Sequence, residues 1–482
     1  MTHWGVFMGV QQLRDSISRV LASSLAFALA LALAGCGSRQ TMQSEVHVSV
    51  DGSDESGMGT LDAPYASISH AAKAAPGSVV VVHGGDYGPV EIDASCSGSE
   101  ASPTIIRVAE GEHAVVHAND GVGFSIVNAS HISIEGLETE GGTHGISYTS
   151  TRDAGERALE DICIKDCTVH GVRGTHGICV YARNDLAPVT RLTIEGCEVF
   201  DCECGSSESL VLNGNVDGFL IARNTIHDNN NIGIDMIGFE GTAKHPDDDG
   251  GTNPYEVDLV RNGVCRDNVV YSISTEGNAA YLEDGVYDPS ADGIYVDGGR
   301  DIEIYNNFVF NCDMGLEVAT EHSPEDNELF LVSGIKVHDK VIANCHGYTG
   351  LCFGGYDKDL GFTEDCEFDH NTLVDNATQI GVQRSRNNLV HANLVVGGEV
   401  GVELSEECRQ EDMVNDISGN VAAGIEDEDS WTEEYGTTHS DRTELVDGFR
   451  SLVEGVGSRF VPDASMMEVY GRVCVDSVAS TV

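Results

Sequence analysis

Four short segments carry the side chains best placed to do chemistry. Gly233-Ile234-Asp235-Met236-Ile237, Gly293-Ile294-Tyr295-Val296-Asp297, Gly315-Leu316-Glu317-Val318-Ala319 and Gly350-Leu351-Cys352-Phe353-Gly354 share one grammar. Each opens on glycine and an aliphatic residue, and alternate positions then point to opposite sides of a strand. Stacked as neighbouring strands, they would bring Asp235, Tyr295, Asp297 and Glu317 onto one solvent face. With parallel strands about 4.8 Å apart, Asp235 and Asp297 would stand one rung and about 5–8 Å from each other. That holds if Asn268 to Asp292 forms a single coil; Glu317 then lies one rung beyond Asp297. Carboxyls crowded this closely raise one another's pKa, so one can stay protonated and act as a general acid beside a second acting as base or nucleophile. The separation spans both the retaining and the inverting geometry of glycoside hydrolysis. The same acids are hard oxygen ligands that would also suit Ca²⁺, and they would equally serve as a solvated acidic face.

Around Asp235, Asp297 and Glu317 lies a second set suited to shaping a groove: Glu240, Asp292, Tyr295, Arg300, Glu321, His322, Tyr356 and Asp357. Arg300 and His322 are the candidate bases or carboxylate binders, and Lys244 is the one lysine near the cluster. The excursion between Asn268 and Asp292 carries Tyr271, Tyr281 and Tyr287, rings that would stack on a sugar or pack locally. The run Asp247-Asp248-Asp249-Gly250-Gly251 lacks the twelve-residue spacing of a cation loop.

The elements that must position these residues are legible as a repeat. Ile132-Ser133-Ile134, Ile162-Cys163-Ile164, Leu192-Thr193-Ile194, Phe219-Leu220-Ile221 and Ile302-Glu303-Ile304 are short alternating strands. Each is followed by a second strand and then by a glycine-aliphatic one, with a period near thirty residues that shortens later. Asn224, Asn268, Asn307 and Asn371 recur at the entrance of the second strand. Such asparagines tolerate left-handed backbone and can hydrogen-bond from coil to coil, so they read as a structural ladder. Cys167 with Cys197 and Cys312 with Cys345 recur in the same way, as small core residues as readily as disulfide partners.

Composition sets the partners. Lys and Arg number 26 against 79 Asp and Glu, a formal net charge of −53. Nucleic acid and anionic membrane surfaces would be repelled. At the N-terminus Arg14 and Arg19 precede an apolar run from Val20 to Ala34, too short for a comfortable bilayer span. Its ending, Leu33-Ala34-Gly35-Cys36, resembles the bacterial lipoprotein cleavage box. That resemblance implies lipidation of Cys36, and an extracytoplasmic protein tethered by lipid alone.

The opening of the mature chain, from Val46 through a helix at Ala71–Ala75 to Gly84-Gly85-Asp86-Tyr87, resembles the N-terminal cap of right-handed parallel β-helix proteins. Together with the glycine-aliphatic segments it places the chain beside bacterial parallel β-helix proteins of the pectate-lyase superfamily. That resemblance implies an all-β solenoid over 46–425 with a short N-terminal capping helix. A signal peptide (1–35) and a tether (36–45) precede it, and a C-terminal cap or irregular tail (426–482), anchored by Phe449, Leu452, Val456 and Phe460, follows. It also implies a substrate groove along an outer strand face and a polysaccharide substrate for a monomeric protein. The chain departs from two branches of the superfamily: it lacks the Asn-Thr-Asp, Asp-Asp and Gly-His-Gly set of polygalacturonases and the basic strand of the major pectate lyases. Glycosidic-bond cleavage by Asp235, Asp297 and Glu317 is the leading expectation. Ca²⁺-assisted elimination on a uronate polymer and a non-catalytic glycan-binding adhesin are the alternatives.

Overall fold

The computed structural model describes residues 43–246, 252–355, 360–409 and 412–438. By its internal contacts the chain divides into Met1–Ser44 and Glu45–Val482, and the second unit carries the fold. It is a right-handed parallel β-helix. Three long parallel sheets of 16, 13 and 11 strands run its length, and the chain visits them in the fixed order first, second, third before starting the next coil. One such coil is Leu159–Lys165, Thr168–His170 and His176–Ala182. The short helix Ile68–Ala74 stands at the N-terminal end, where Ser67 caps it and Ile68, Ala71 and Ala72 are buried.

The core is aliphatic because each strand turns its alternate residues inward. Ile132, Ile162, Leu192 and Phe219 stack in register on the first sheet, as do Ile134, Ile164, Ile194 and Ile221. No coil could bury these faces alone, so the stack is cooperative from rung to rung.

The asparagine ladder lies inside this core. Asn224 Nδ2 donates to Asn268 Oδ1 at 3.0 Å, and Asn268 Nδ2 to Asn307 Oδ1 at 2.9 Å. Further along, Asn371 donates to Asn393 and Asn393 to Asn420. The left-handed backbone expected of these residues falls instead on the residue before each: Arg223, Asp267, Asn306 and His370 have φ of 53–57°. The turn needs one residue in that conformation, and the asparagine that follows is free to aim its amide along the axis. Cys167 and Cys197 take the equivalent place in earlier coils, as buried free thiols that hydrogen-bond to each other.

Candidate functional site

The site lies on the outside of the third sheet, on four consecutive strands: β1 (Ile234–Ile237), β2 (Asp292–Asp297), β3 (Met314–Ala319) and β4 (Thr349–Phe353). Asp235 pairs with Tyr295, Tyr295 with Glu317 and Glu317 with Cys352, the column that alignment on glycine predicts. Asp297 pairs with Ala319. The segment from Asn268 to Asp292 is a single coil, so Asp235 and Asp297 do sit one rung apart. Glycine opens each strand because the inner side has no room: a Cβ at Gly315 would lie 2.3 Å from both Ile342 Cγ2 and the Gly350 carbonyl oxygen.

The acids are less exposed than a solvent face implies. Asp235 and Asp292 are each 2% exposed and Asp297 is 5% exposed. Burial, the nearby Glu208 carboxylate and Asp297 push the Asp235 carboxyl well above the usual range. Asp297 is raised by burial and by Glu321 and Glu240, although its Oδ1 accepts the Glu321 backbone N–H at 3.2 Å. A hydrogen bond joins the carboxyls of Asp292 and Glu317. Burial and then Glu317 hold Asp292 protonated, while burial and Glu321 push Glu317 to about 7. Two carboxyls joined this way share a proton near neutral pH. The Tyr295 hydroxyl, between Asp235 and Glu317, is kept neutral by burial and the surrounding acids.

Beside these residues opens a cleft of about 620 Å³, walled by Asp292, Tyr295, Glu317, Glu321, Tyr281 and Tyr348 among others. Asp235 and Asp297 do not line it. One side is built by the excursion 274–291, which carries Tyr281 and the two-stranded hairpin Leu282–Glu283 with Val286–Tyr287. The Tyr281 hydroxyl accepts from Asn231 Nδ2 at 3.1 Å. Beyond Asp297 stands a second wall, where His322 pairs with Glu240 at 2.9 Å and packs on Phe330 at a ring distance of 5.0 Å. That pairing lowers Glu240 and raises His322, favouring the charged form of each.

Other expected members lie elsewhere. Arg300 begins a strand of the first sheet and donates to the Leu329 carbonyl at 3.3 Å, away from the acids. Its position just after the bend at Gly298-Gly299 carries it around the corner of the coil. Tyr271 belongs to a ring stack on the second sheet, between His227 at 4.8 Å and Phe310 at 4.9 Å. Lys244 lies over the Tyr255 ring at 5.0 Å. Tyr356, Asp357, Asp247 to Gly251 and the lipidation candidate Cys36 fall outside the described residues. Among the described residues no group of three or more His, Cys, Asp or Glu side chains is arranged to hold a metal ion.

Sequence reasoning missed the upstream end of this face. Glu208 raises Asp235, and its carboxylate lies 3.3 Å from His176 Nδ1. His176 Nε2 meets the Tyr181 hydroxyl at 2.9 Å. The signal was present: His176-Gly177-Ile178-Cys179-Val180-Tyr181 repeats the glycine-aliphatic grammar two strands before Asp235.

The family model described as periplasmic copper-binding protein (NosD) matches residues 253–435. The uncharacterized protein YwoF of Bacillus subtilis (strain 168) is 33% identical over 413 residues, covering 80% of this chain and 81% of that protein. Pectate lyase PEL9 of Emericella nidulans is 27% identical over 196 residues, covering 36% of this chain and 47% of the lyase. Among solved structures, the GH136 lacto-N-biosidase of Eubacterium ramulus shares the fold, with a TM-score of 0.56 at 13% identity. The match covers 79% of this chain and 68% of that one.

Proposed function

We propose, from the premise that this chain belongs to the family of Bacillus subtilis YwoF, that it is an extracytoplasmic, lipid-anchored enzyme cleaving glycosidic bonds in a polysaccharide. The chain is a parallel β-helix related to polysaccharide-active proteins. The observation that carries the reading is the hydrogen-bonded Asp292–Glu317 pair opening onto the cleft, with Glu317 poised near pH 7. A carboxyl with that pKa is protonated often enough to deliver a proton to a leaving glycosidic oxygen. Asp292 keeps its own proton and donates a hydrogen bond to the carboxylate that Glu317 becomes once its proton has gone to the leaving group.

Glu321, another carboxylate on the cleft wall, takes a proton from water or flanks the forming oxocarbenium. Asp235 and Asp297 act from one layer back, as neighbours that raise the Tyr295 hydroxyl, and Asp297 also raises Asp235. Tyr281 and Tyr348 offer ring faces for sugars. His322 and Glu240 form a charged border. The word periplasmic in the name of the NosD model agrees with a location outside the cytoplasm.

Calcium-assisted elimination draws less support, because no group of three or more His, Cys, Asp or Glu side chains among the described residues is arranged as a cation cage and Arg300 is turned away. The copper in the NosD name likewise finds no set of three ligands among the described residues. The test is incubation of the wild type and Glu317→Gln with a glycan panel, with and without chelator, followed by product analysis. Reducing-end release by the wild type, indifferent to chelator and lost in Glu317→Gln, is expected. Unchanged turnover in Glu317→Gln would remove Glu317 from the chemistry, and unsaturated products absorbing in the ultraviolet would replace hydrolysis by elimination.

A further inference from the structure

Both walls of the cleft lean toward the N-terminal end of the solenoid. The excursion 274–291 leaves the corner before β2 and is fastened to the coils behind it. Asn278 Nδ2 donates to the Gly205 and Asn230 carbonyls, each at 2.7 Å. Asn231 Nδ2 donates to the Ser207 carbonyl at 2.8 Å as well as to the Tyr281 hydroxyl. Gly205 and Ser207 lead into the strand Leu210–Gly214, two rungs before β2, and Asn230 and Asn231 lead into β1. The opposite wall leans the same way. Asn327 and Asn253 exchange side-chain hydrogen bonds at 2.7 and 3.0 Å, so the segment 320–331 after β3 rests on the segment 239–259 after β1. Under these arms Val211 and Asp235 are buried, although they point outward in the column of Glu317. Burial raises Asp235, Tyr281 and Glu321, and the Glu208 carboxylate adds to each. The other end differs. Beyond Glu317 the column continues as Cys352 and Gly381, a floor with little side chain. Tyr348 stands 45% exposed beside it, and Glu403 on the next rung is exposed. Among the described residues no comparable excursion is fastened over these rungs. Gln383 lines this end, buried, and its Oε1 has no hydrogen-bond partner, an acceptor that a sugar hydroxyl would satisfy.

We infer that the cleft takes the end of a glycan chain, so that the enzyme releases short units from that end and does not cut within the chain. The inference rests on the glycosidic reading of Glu317 proposed above. Upstream of Glu317 the floor runs two rungs, about 10 Å at about 4.8 Å per rung, before it meets Ile232 and the ring of Tyr281. That length seats a terminal unit of about two sugar rings. A chain passing straight through would have to displace Tyr281 and break the hydrogen bonds of Asn278 and Asn231. The rest of the polymer leaves over Cys352 and Gly381, past Tyr348 and Gln383. Each turnover adds water across the one bond seated at Glu317: the leaving oxygen gains a proton and the anomeric carbon gains the hydroxyl. Ile232, Tyr281 and Tyr295 are then the residues that select the terminal unit.

The test uses the full chain with linear xylan, galactan, arabinan and β-glucan. On any of these that the wild type cleaves, a single short product from the first turnovers is expected, with little loss of viscosity per reducing end released. A ladder of product sizes with an early collapse of viscosity overturns the inference and leaves the glycosidic reading in place. The double variant Asn278→Ala, Tyr281→Ala, folded as judged by its unfolding temperature, should shift the products toward that ladder. A folded double variant that keeps the single short product overturns the assignment of the end wall. The second arm needs no turnover. Glu317→Gln is titrated by calorimetry with each polymer at a short and a long chain length. Equal numbers of protein molecules bound per chain at both lengths are expected, because lengthening a chain adds no ends. More protein on the longer chains overturns the inference. Neither cleavage nor binding across the panel overturns the reading of Glu317, and the inference falls with it.

Discussion

At the scale of single residues, Glu317 ties electrostatics to activity and to stability. Its folded pKa of about 7 lies above the ordinary 4.5. An acid raised on folding leaves stability intact below its unfolded value and withdraws it as pH climbs through the folded one. Thermal unfolding followed from pH 4 to pH 8 should therefore show a loss across this window, on the order of 1–3 kcal/mol from Glu317. Glu317→Gln should flatten that slope and unfold at a higher temperature than the wild type at pH 8. The same substitution should lower kcat by about 100-fold or more, the usual worth of a general acid. Glycosidase activity in the wild type should fall as pH rises past about 7, where Glu317 gives up its proton. A flat pH profile would separate Glu317 from the proton transfer.

At the scale of the element, the ladder contains its own anomaly. Lys340 occupies the place of the ladder asparagine between Asn307 and Asn371, fully buried, and its Nζ has no hydrogen-bond partner. Asn371 Oδ1, which the preceding rung would otherwise satisfy, is left unpaired as well. Burial pulls the lysine down to about 7, so below that pH the core holds a lone cation. Lys340→Asn should restore the rung and raise stability by about 1–3 kcal/mol near pH 6, with a smaller gain at pH 9, where the lysine is neutral in the fold. Denaturant titration at the two pH values checks both the size and the order. The glycine that opens β3 makes the opposite case. Gly315→Ala would drive a methyl into Ile342 and the Gly350 carbonyl. It should cost about 1–3 kcal/mol and shift Glu317 away from Asp292, so activity should fall further than stability alone explains.

At the scale of the whole molecule, the formal charge of −53 works against compaction. Added monovalent salt should raise the unfolding temperature by screening this repulsion, most steeply up to about 0.5 M. A melting curve insensitive to salt would mean that the acids are already neutralised in pairs, as His117 with Asp86 and Arg191 with Asp161 are. The anchor is a separable property. Cys36→Ala should release the protein from the membrane fraction without changing its unfolding temperature, and retention of the variant with membranes would argue against lipidation at that residue.

What was legible in the sequence was whatever repeats. The solenoid, the asparagine ladder and the column Asp235–Tyr295–Glu317–Cys352 follow from a period of two along the strand and a fixed glycine at each entrance, and both survive translation into space because every coil copies the last. What does not repeat was decided by the tertiary structure. Whether a carboxyl on the outer face is exposed depends on the excursions that rise beside it, and those walls hide Asp235 and Asp297 while leaving Glu317 at the cleft. The pairing of Asp292 with Glu317 crosses strands on a diagonal that alignment by glycine does not bring together. Arg300 was lost to the site by a single bend, since one corner of the coil separates two faces of a solenoid. Register is a local and periodic property, so the chain alone can carry it; burial and proton sharing depend on distant segments meeting, and only the folded molecule settles them.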